Sequence, residues 1–263
     1  MDFKLKDKNA LVCASSEGLG RAAAIELAKE GANLSICSRN KDKLEETYNS
    51  IKKVSDSKVF MKIADLSNAK DIDALFKESV SNLGPIDILV NNAGGPPPST
   101  FDNTTDDQWE SAFNLTMMSS VRLSRLVLPQ MKENNWGRII NISSVSVKTP
   151  VNGLFLSNSI RMGVLGWSKA LSDEVAASGI TVNSVCPGST RTKRITDIFD
   201  AQSKATGMSV DEIEAAASAS IPMQKIGEPE DLAALIAFLA SERASYMTGL
   251  AIQVDGGSAR TFT

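Results

Sequence analysis

Ser157 and Arg161 stand four residues apart in NGLFLSNSIRMG (residues 152–163), a spacing that puts both on one face of a helix. A hydroxyl beside a permanent cation can stabilise developing negative charge. As a terminal proton donor the pair is weak. A serine hydroxyl is far less acidic than a phenol, whose reference pKa is about 10, and Arg161 is expected to stay protonated at any working pH. Ser157 can still relay a proton from water. The chain has no histidine, which excludes a Ser-His-Asp triad, a Cys-His pair and a histidine metal site. No close cluster of Cys, Asp and Glu suggests a metal. Any proton must come from Asp, Glu, Lys, Tyr, Cys, a hydroxyl relay or the substrate. Cys13, Cys37 and Cys186 all fall in apolar runs and read as free, buried thiols.

A second cluster of chemistry lies near the amino terminus. NALVCA (9–14) runs into SSEGLGR, with Gly18 and Gly20 between a strand and the first helical pattern. Glycines there let backbone approach a pyrophosphate, which then sits on the positive helix N-terminus. The next strand ends in Ser38-Arg39-Asn40. An acidic residue at that point would hold the adenosine ribose of NAD, whereas Arg39 suits the 2′-phosphate of NADP. Glu17 is a counter-signal, since a carboxylate on the first turn repels a 2′-phosphate. Asp65-Leu66 is placed to contact adenine. Asn91-Asn92-Ala93-Gly94 offers small and amide groups beside the cofactor.

These residues need a scaffold of alternating elements. Apolar or β-branched runs predict strands at 9–14, 33–38, 58–63, 86–91, 137–143, 180–185 and 250–255. Helical periodicity predicts helices over 18–31, 41–54, 68–83, 106–133 and 153–177. Strands that are apolar throughout, separated by helices, imply a parallel sheet covered on both faces. The fold class is therefore α/β, a doubly wound parallel sheet of Rossmann type, with ligands at the carboxyl ends of the strands. Residues 1–263 read as one domain. Residues 188–228 read as less regular, with a helix near 209–219, and are expected to form a substrate lid within it.

The bulk numbers agree. A chain of 263 residues with 42% hydrophobic and 22% charged residues can bury a full core. A net charge of −3 argues against nucleic acid or an anionic membrane as partner. No apolar run approaches the roughly 18 residues that span a bilayer. The charged start carries no signal-peptide core, so a cytoplasmic location is expected.

Together these motifs resemble the short-chain dehydrogenase/reductase family, near the ketoacyl-carrier-protein reductases. The family's TGxxxGxG stands here as Cys13-Ala14-Ser15-Ser16-Glu17-Gly18-Leu19-Gly20, with Thr and the first Gly replaced. NNAG is intact at 91–94, Asn114 falls on the long helix, and NISS (141–144) carries Ser144 at the catalytic-serine place. Pro187-Gly188 and Thr192 match the motif after the sixth strand, and Asp255-Gly256-Gly257 the terminal VDGG. The family sets a Tyr thirteen residues after its serine and a Lys four beyond. Counting from Ser144 gives Ser157 and Arg161, so both are replaced. A register using Ser168-Lys169 would stretch the gap and misplace Pro187-Gly188. Tyr48 and Tyr246 lie in segments the family keeps away from the site.

The resemblance implies catalytic roles for Ser144, Ser157, Arg161 and Asn114. It implies cofactor contacts at Ser15, Ser16, Gly18, Leu19, Gly20, Arg39, Asp65, Leu66, Asn91, Ala93, Gly94, Arg161, Pro187, Gly188, Thr190 and Thr192. The cofactor expected is NADP(H), the substrate a small carbonyl or alcohol, and the assembly a homodimer or homotetramer. Three readings stay open. One is an oxidoreductase in which Ser144 holds the oxyanion and Ser157, Asn114 and Arg161 order a water as proton source. Another is an oxidoreductase with an acidic substrate bound by Arg161, or one that supplies its own proton. The third is a non-catalytic nucleotide-binding sensor or subunit. Loss of the phenol is expected to leave a gap holding water or a small anion between Ser144, Ser157 and Arg161. Arg161 is expected to face the nicotinamide ribose.

Overall fold

The computed structural model describes residues 2–261. Seven strands form one wholly parallel sheet in the order β3-β2-β1-β4-β5-β6-β7. They are β1 Asn9–Val12, β2 Asn33–Ser38, β3 Val59–Ile63, β4 Ile88–Asn91, β5 Gly137–Ile142, β6 Ile180–Pro187 and β7 Ala251–Val254. The order reverses between β1 and β4, which opens a crevice at their carboxyl ends. The doubly wound fold expected from the sequence is the one observed.

Alternation along the strands divides the interior into two cores. Ala10 and Val12 of β1 join Leu27 of α1 (Gly18–Lys29), Leu44 and Ile51 of α2 (Lys41–Val54) and Ile236 of α9 (Pro229–Ala240). Leu11 and Cys13 point the other way. They join Ile72 and Leu75 of α3 (Ala69–Leu83) and Leu123 and Val127 of α5 (Ser119–Glu133). Helix α6 (Phe155–Val175) adds Val175 to this second core. The three cysteines are free and buried, as expected.

Besides α9, for which no helix was expected, two regions depart from expectation. The helix expected over 106–133 is interrupted: α4 (Asp106–Ala112) and α5 flank a π-helical turn over Phe113–Met118. Such a turn inserts one residue into the helical register and re-aims the side chains around it. Asn114 lies in this turn. Residues 188–228 are also more regular than their sequence suggests. They carry α7 (Lys193–Thr206) as well as α8 (Val210–Ser220). The two pack on each other through Phe199, Ile213, Ile221 and Ile226, a small core of their own.

Candidate active site

The turn after β1 has the shape of an anion cradle. Gly18 sits at φ +57° and opens α1. A Cβ on Gly20 would lie 2.3 Å from the Ala14 carbonyl oxygen and 2.8 Å from Asn92 Nδ2, so only glycine fits there. Ala14, where the resemblance calls for glycine, is held at φ +45°, a strained conformation costing about 1 kcal/mol for an L-residue. Glu17, the N-cap of α1, makes no side-chain capping bond. The first N–H groups of the helix are thus left for a phosphate. The buried Ser15 hydroxyl donates to the Val12 carbonyl (3.1 Å) and accepts from Cys37 N–H (3.1 Å), locking β1 to β2. Ser16 Oγ accepts from Ser38 Oγ at 2.8 Å.

The charges around this cradle suit a 2′-phosphate. Arg39 is 73% exposed and reaches Asp65 at only 4.0 Å. Glu17 is drawn aside by Lys43, 2.5 Å away. The repulsion expected from Glu17 is therefore offset. Hydrogen bonds from Ser67 hold the Asp65 carboxyl below its ordinary range, with Arg39 adding to the effect. Leu66 is buried. The segment after β6 closes over the cradle: Thr192 Cγ2 would stand 3.3 Å from a Cβ on Gly18. Thr190 donates to the Gly188 carbonyl and Thr192 to the Thr190 carbonyl.

Arg161 builds the centre of the site. Its Nε donates to Ser157 Oγ (3.1 Å), Nη1 to the carbonyls of Ile142 (3.1 Å) and Ser143 (3.0 Å), and Nη2 to the Gly94 carbonyl (2.6 Å). One cation thus ties α6 to the ends of β4 and β5. Arg161 falls to about 10, because its guanidinium is taken out of water and faces the Arg194 charge. It remains a cation at neutral pH. Ser144, next in line after β5, accepts from Ser146 N–H at 3.1 Å, so its own proton is free to donate. Burial pushes the nearby Cys186 thiol up to about 11, which keeps it neutral.

The expected gap left by the missing phenol is not open. Arg161 folds back over Ser157, which is 3% exposed. Four of the five guanidinium N–H groups go to this chain itself, which leaves one for a bound molecule. Asn114 is not bonded to either residue; its Oδ1 accepts from Arg122 at 3.5 Å. Asn91 is buried and donates to Asn141 Oδ1 (2.8 Å), and Asn141 Nδ2 donates on to Ser168 Oγ (2.9 Å). Asn91 and Ser168 therefore serve an internal polar ladder, while Ala93 and Gly94 stay at the crevice. Sequence reasoning misses Arg194 of α7, whose Nη2 donates to the Pro96 carbonyl at 3.0 Å. The adjacent basic pair Lys193-Arg194 behind Pro187-Gly188 is the only sequence signal for it.

The chain as a whole is similar to known reductases. The sequence model of a family described as enoyl-(acyl carrier protein) reductase matches residues 13–259. NADPH-dependent reductase BacG of Bacillus subtilis (strain 168) is 33% identical over 98% of this chain and all of its own length. The 3-oxoacyl-(acyl-carrier-protein) reductase FabG of Staphylococcus aureus (strain N315) is 35% identical over 95% of this chain and 97% of its own. The crystal structure of L-sorbose reductase from Gluconobacter frateurii, complexed with NADPH and L-sorbose, superposes with a TM-score of 0.95 at 32% identity, covering the whole of both chains.

Proposed function

The chain belongs to the short-chain dehydrogenase/reductase family, and on that premise we propose that it is an NADP(H)-dependent oxidoreductase acting on a carbonyl or alcohol of a small molecule. The observation that supports this most is the junction built by Arg161. By bonding the Gly94, Ile142 and Ser143 carbonyls it holds Ser144 at the crevice that also carries the phosphate cradle. Ser157 and Arg161 occupy the places of the family's Tyr and Lys. NADPH consumption across a panel of aldehydes and ketones tests the reading.

The bound nicotinamide supplies or accepts the hydride. Ser144 donates its free proton as a hydrogen bond to the carbonyl oxygen, whose negative charge grows during reduction. The positive charge of Arg161 favours the same oxyanion. Ser157 holds the guanidinium in register. The proton comes from water at the mouth of the crevice or from the substrate. Helices α7 and α8 form the lid over the substrate, and the chain acts as a homodimer or homotetramer. Exposed Phe101, Phe113 and Met162 around α4 and α6 are suited to such contacts. Among the described residues no helix is long and apolar enough to cross a membrane.

One observation favours a second reading, a nucleotide-binding sensor or subunit without turnover. Ser157 is nearly sealed from solvent beneath Arg161, so a relay through it has no open path to bulk water.

Two predictions arise here. NADPH is expected to bind more tightly than NADH by about 1–3 kcal/mol if Arg39 makes a charged hydrogen bond to the 2′-phosphate. Arg39→Ala then removes most of the difference, as calorimetry with both cofactors will show. Equal affinities in the parent protein would take Arg39 out of this role. The second concerns pH. Without histidine there is no protein group of pKa about 6.5 to titrate. Arg161 is depressed to about 10 and carries its charge below that value. Activity (kcat/KM) should therefore lack an inflection of protein origin near neutrality, and should fall as pH rises towards 10 and Arg161 discharges. A rise through that range would contradict the role of its charge.

A further inference from the structure

We infer that Arg161 and Arg194 form a clamp for a carboxylate on the substrate, so that the preferred substrates are carbonyl acids. The inference rests on the reductase reading above and narrows its substrate class. The two side chains come from distant parts of the chain, α6 and the first turn of α7. They converge above Gly95. A Cβ built there would lie 2.6 Å from Arg194 Nη1 and 3.0 Å from Arg161 Nη2. Gly95 is not at a positive φ; what its lack of a side chain provides is room for two guanidinium groups.

Placing two cations together costs free energy. No carboxylate of the protein offsets it: among the described residues neither arginine has one within ion-pair distance. Arg191, three residues before Arg194, shows the contrast, being paired to both Glu214 and Glu228. Both members of the pair are also fixed in place by backbone carbonyls, Arg161 by three and Arg194 by that of Pro96. Each keeps donors to spare: one N–H on Arg161 Nη2, and Nε and Nη1 on Arg194. Two fixed forks with spare donors suit a planar carboxylate bound through both oxygens. The clamp stands at Gly95, directly after the Gly94 carbonyl that Arg161 holds, and the same guanidinium bonds the Ser143 carbonyl, one residue before Ser144. Arg194 rides on the lid, so an acid bound by the pair also draws α7 towards the site.

The same positive charge could instead serve a phosphate of the cofactor, and the test separates the two. Calorimetry on the NADPH-loaded protein is run with pyruvate, 2-oxobutyrate and phenylpyruvate and with the methyl ester of each. The acids are expected to bind on the order of tenfold more tightly than their esters. Arg194→Gln should erase that preference, Arg194→Lys should keep part of it, and NADPH affinity should be nearly unchanged in both. Equal binding of acids and esters, or no binding of any acid at millimolar concentration, overturns the clamp. A tenfold loss of NADPH affinity in Arg194→Gln also overturns it, in favour of a cofactor phosphate. Reduction of neutral carbonyls with no preference for acids would refute the clamp and leave the reductase reading standing. Failure of the parent protein to bind NADPH at all would refute both.

Discussion

Ser144→Ala is expected to lower turnover by on the order of 10²–10³ while NADPH affinity stays nearly unchanged. The size follows from what the hydroxyl does. Its oxygen already accepts from Ser146 N–H, so its proton is free to donate to a substrate oxygen that gains charge. A methyl group offers nothing to that charge in a site with no histidine, and no tyrosine at the family's place, to take over. Ser144 also caps the short turn over Val145–Val147, so the variant loses about 1 kcal/mol of local stability. Stopped-flow rates with a verified substrate and urea unfolding of the same sample separate the two effects. Unchanged turnover would show that the oxygen of the substrate lies elsewhere.

Arg161→Ala is expected to cost on the order of 3 kcal/mol of stability and to weaken NADPH binding. Removing the guanidinium leaves the carbonyls of Ile142, Ser143 and Gly94 and the Ser157 hydroxyl without their donor. The ends of β4 and β5 then lose the cation that joins them to α6, and the loop carrying Ala93 and Gly94 loosens. Arg161→Lys should recover part of the stability, since an ammonium reaches fewer of the four acceptors. Urea unfolding and calorimetry check this. A loss below about 1 kcal/mol with NADPH affinity intact would mean that water serves these carbonyls equally well. Ser157→Ala removes only an acceptor of one bond and should have the smaller effect on stability.

The sheet was legible because a parallel strand buried on both faces leaves an apolar run that nothing else in the chain imitates. The phosphate turn was legible because Gly18 and Gly20 are there for backbone reasons that composition preserves. Helix α7 was not, because KRITDIFDAQSKAT offers only Ile195, Ile198 and Phe199 as an apolar stripe, packed on a satellite core. Helix α9, absent from the elements expected above, carries a readable signal, Pro229 at its first turn and Glu228 with Asp231 as a capping pair. The π turn at Asn114 has no sequence signal of its own, since it depends on how α4 and α5 pack. Within the candidate site, the spacing of Ser157 and Arg161 anticipated that they meet on one helix face, beside the strand end that carries Ser144. It could not show that Arg161 folds onto Ser157, because the three carbonyls that draw it there come from β4 and β5. Nor could it bring Arg194 to Gly95, as that meeting depends on the path of residues 188–193.

This chain is expected to move hydride without the family's Tyr–Lys pair. The most direct test is transfer from NADPH deuterated at the nicotinamide C4, mixed in stoichiometric amount with the protein and each member of a panel of carbonyl acids and neutral ketones. Deuterium is expected on the former carbonyl carbon of at least one product, in one stereochemical configuration, with Ser144→Ala slowing its appearance. Tight NADPH binding with no deuterium transferred to any member of the panel would contradict it.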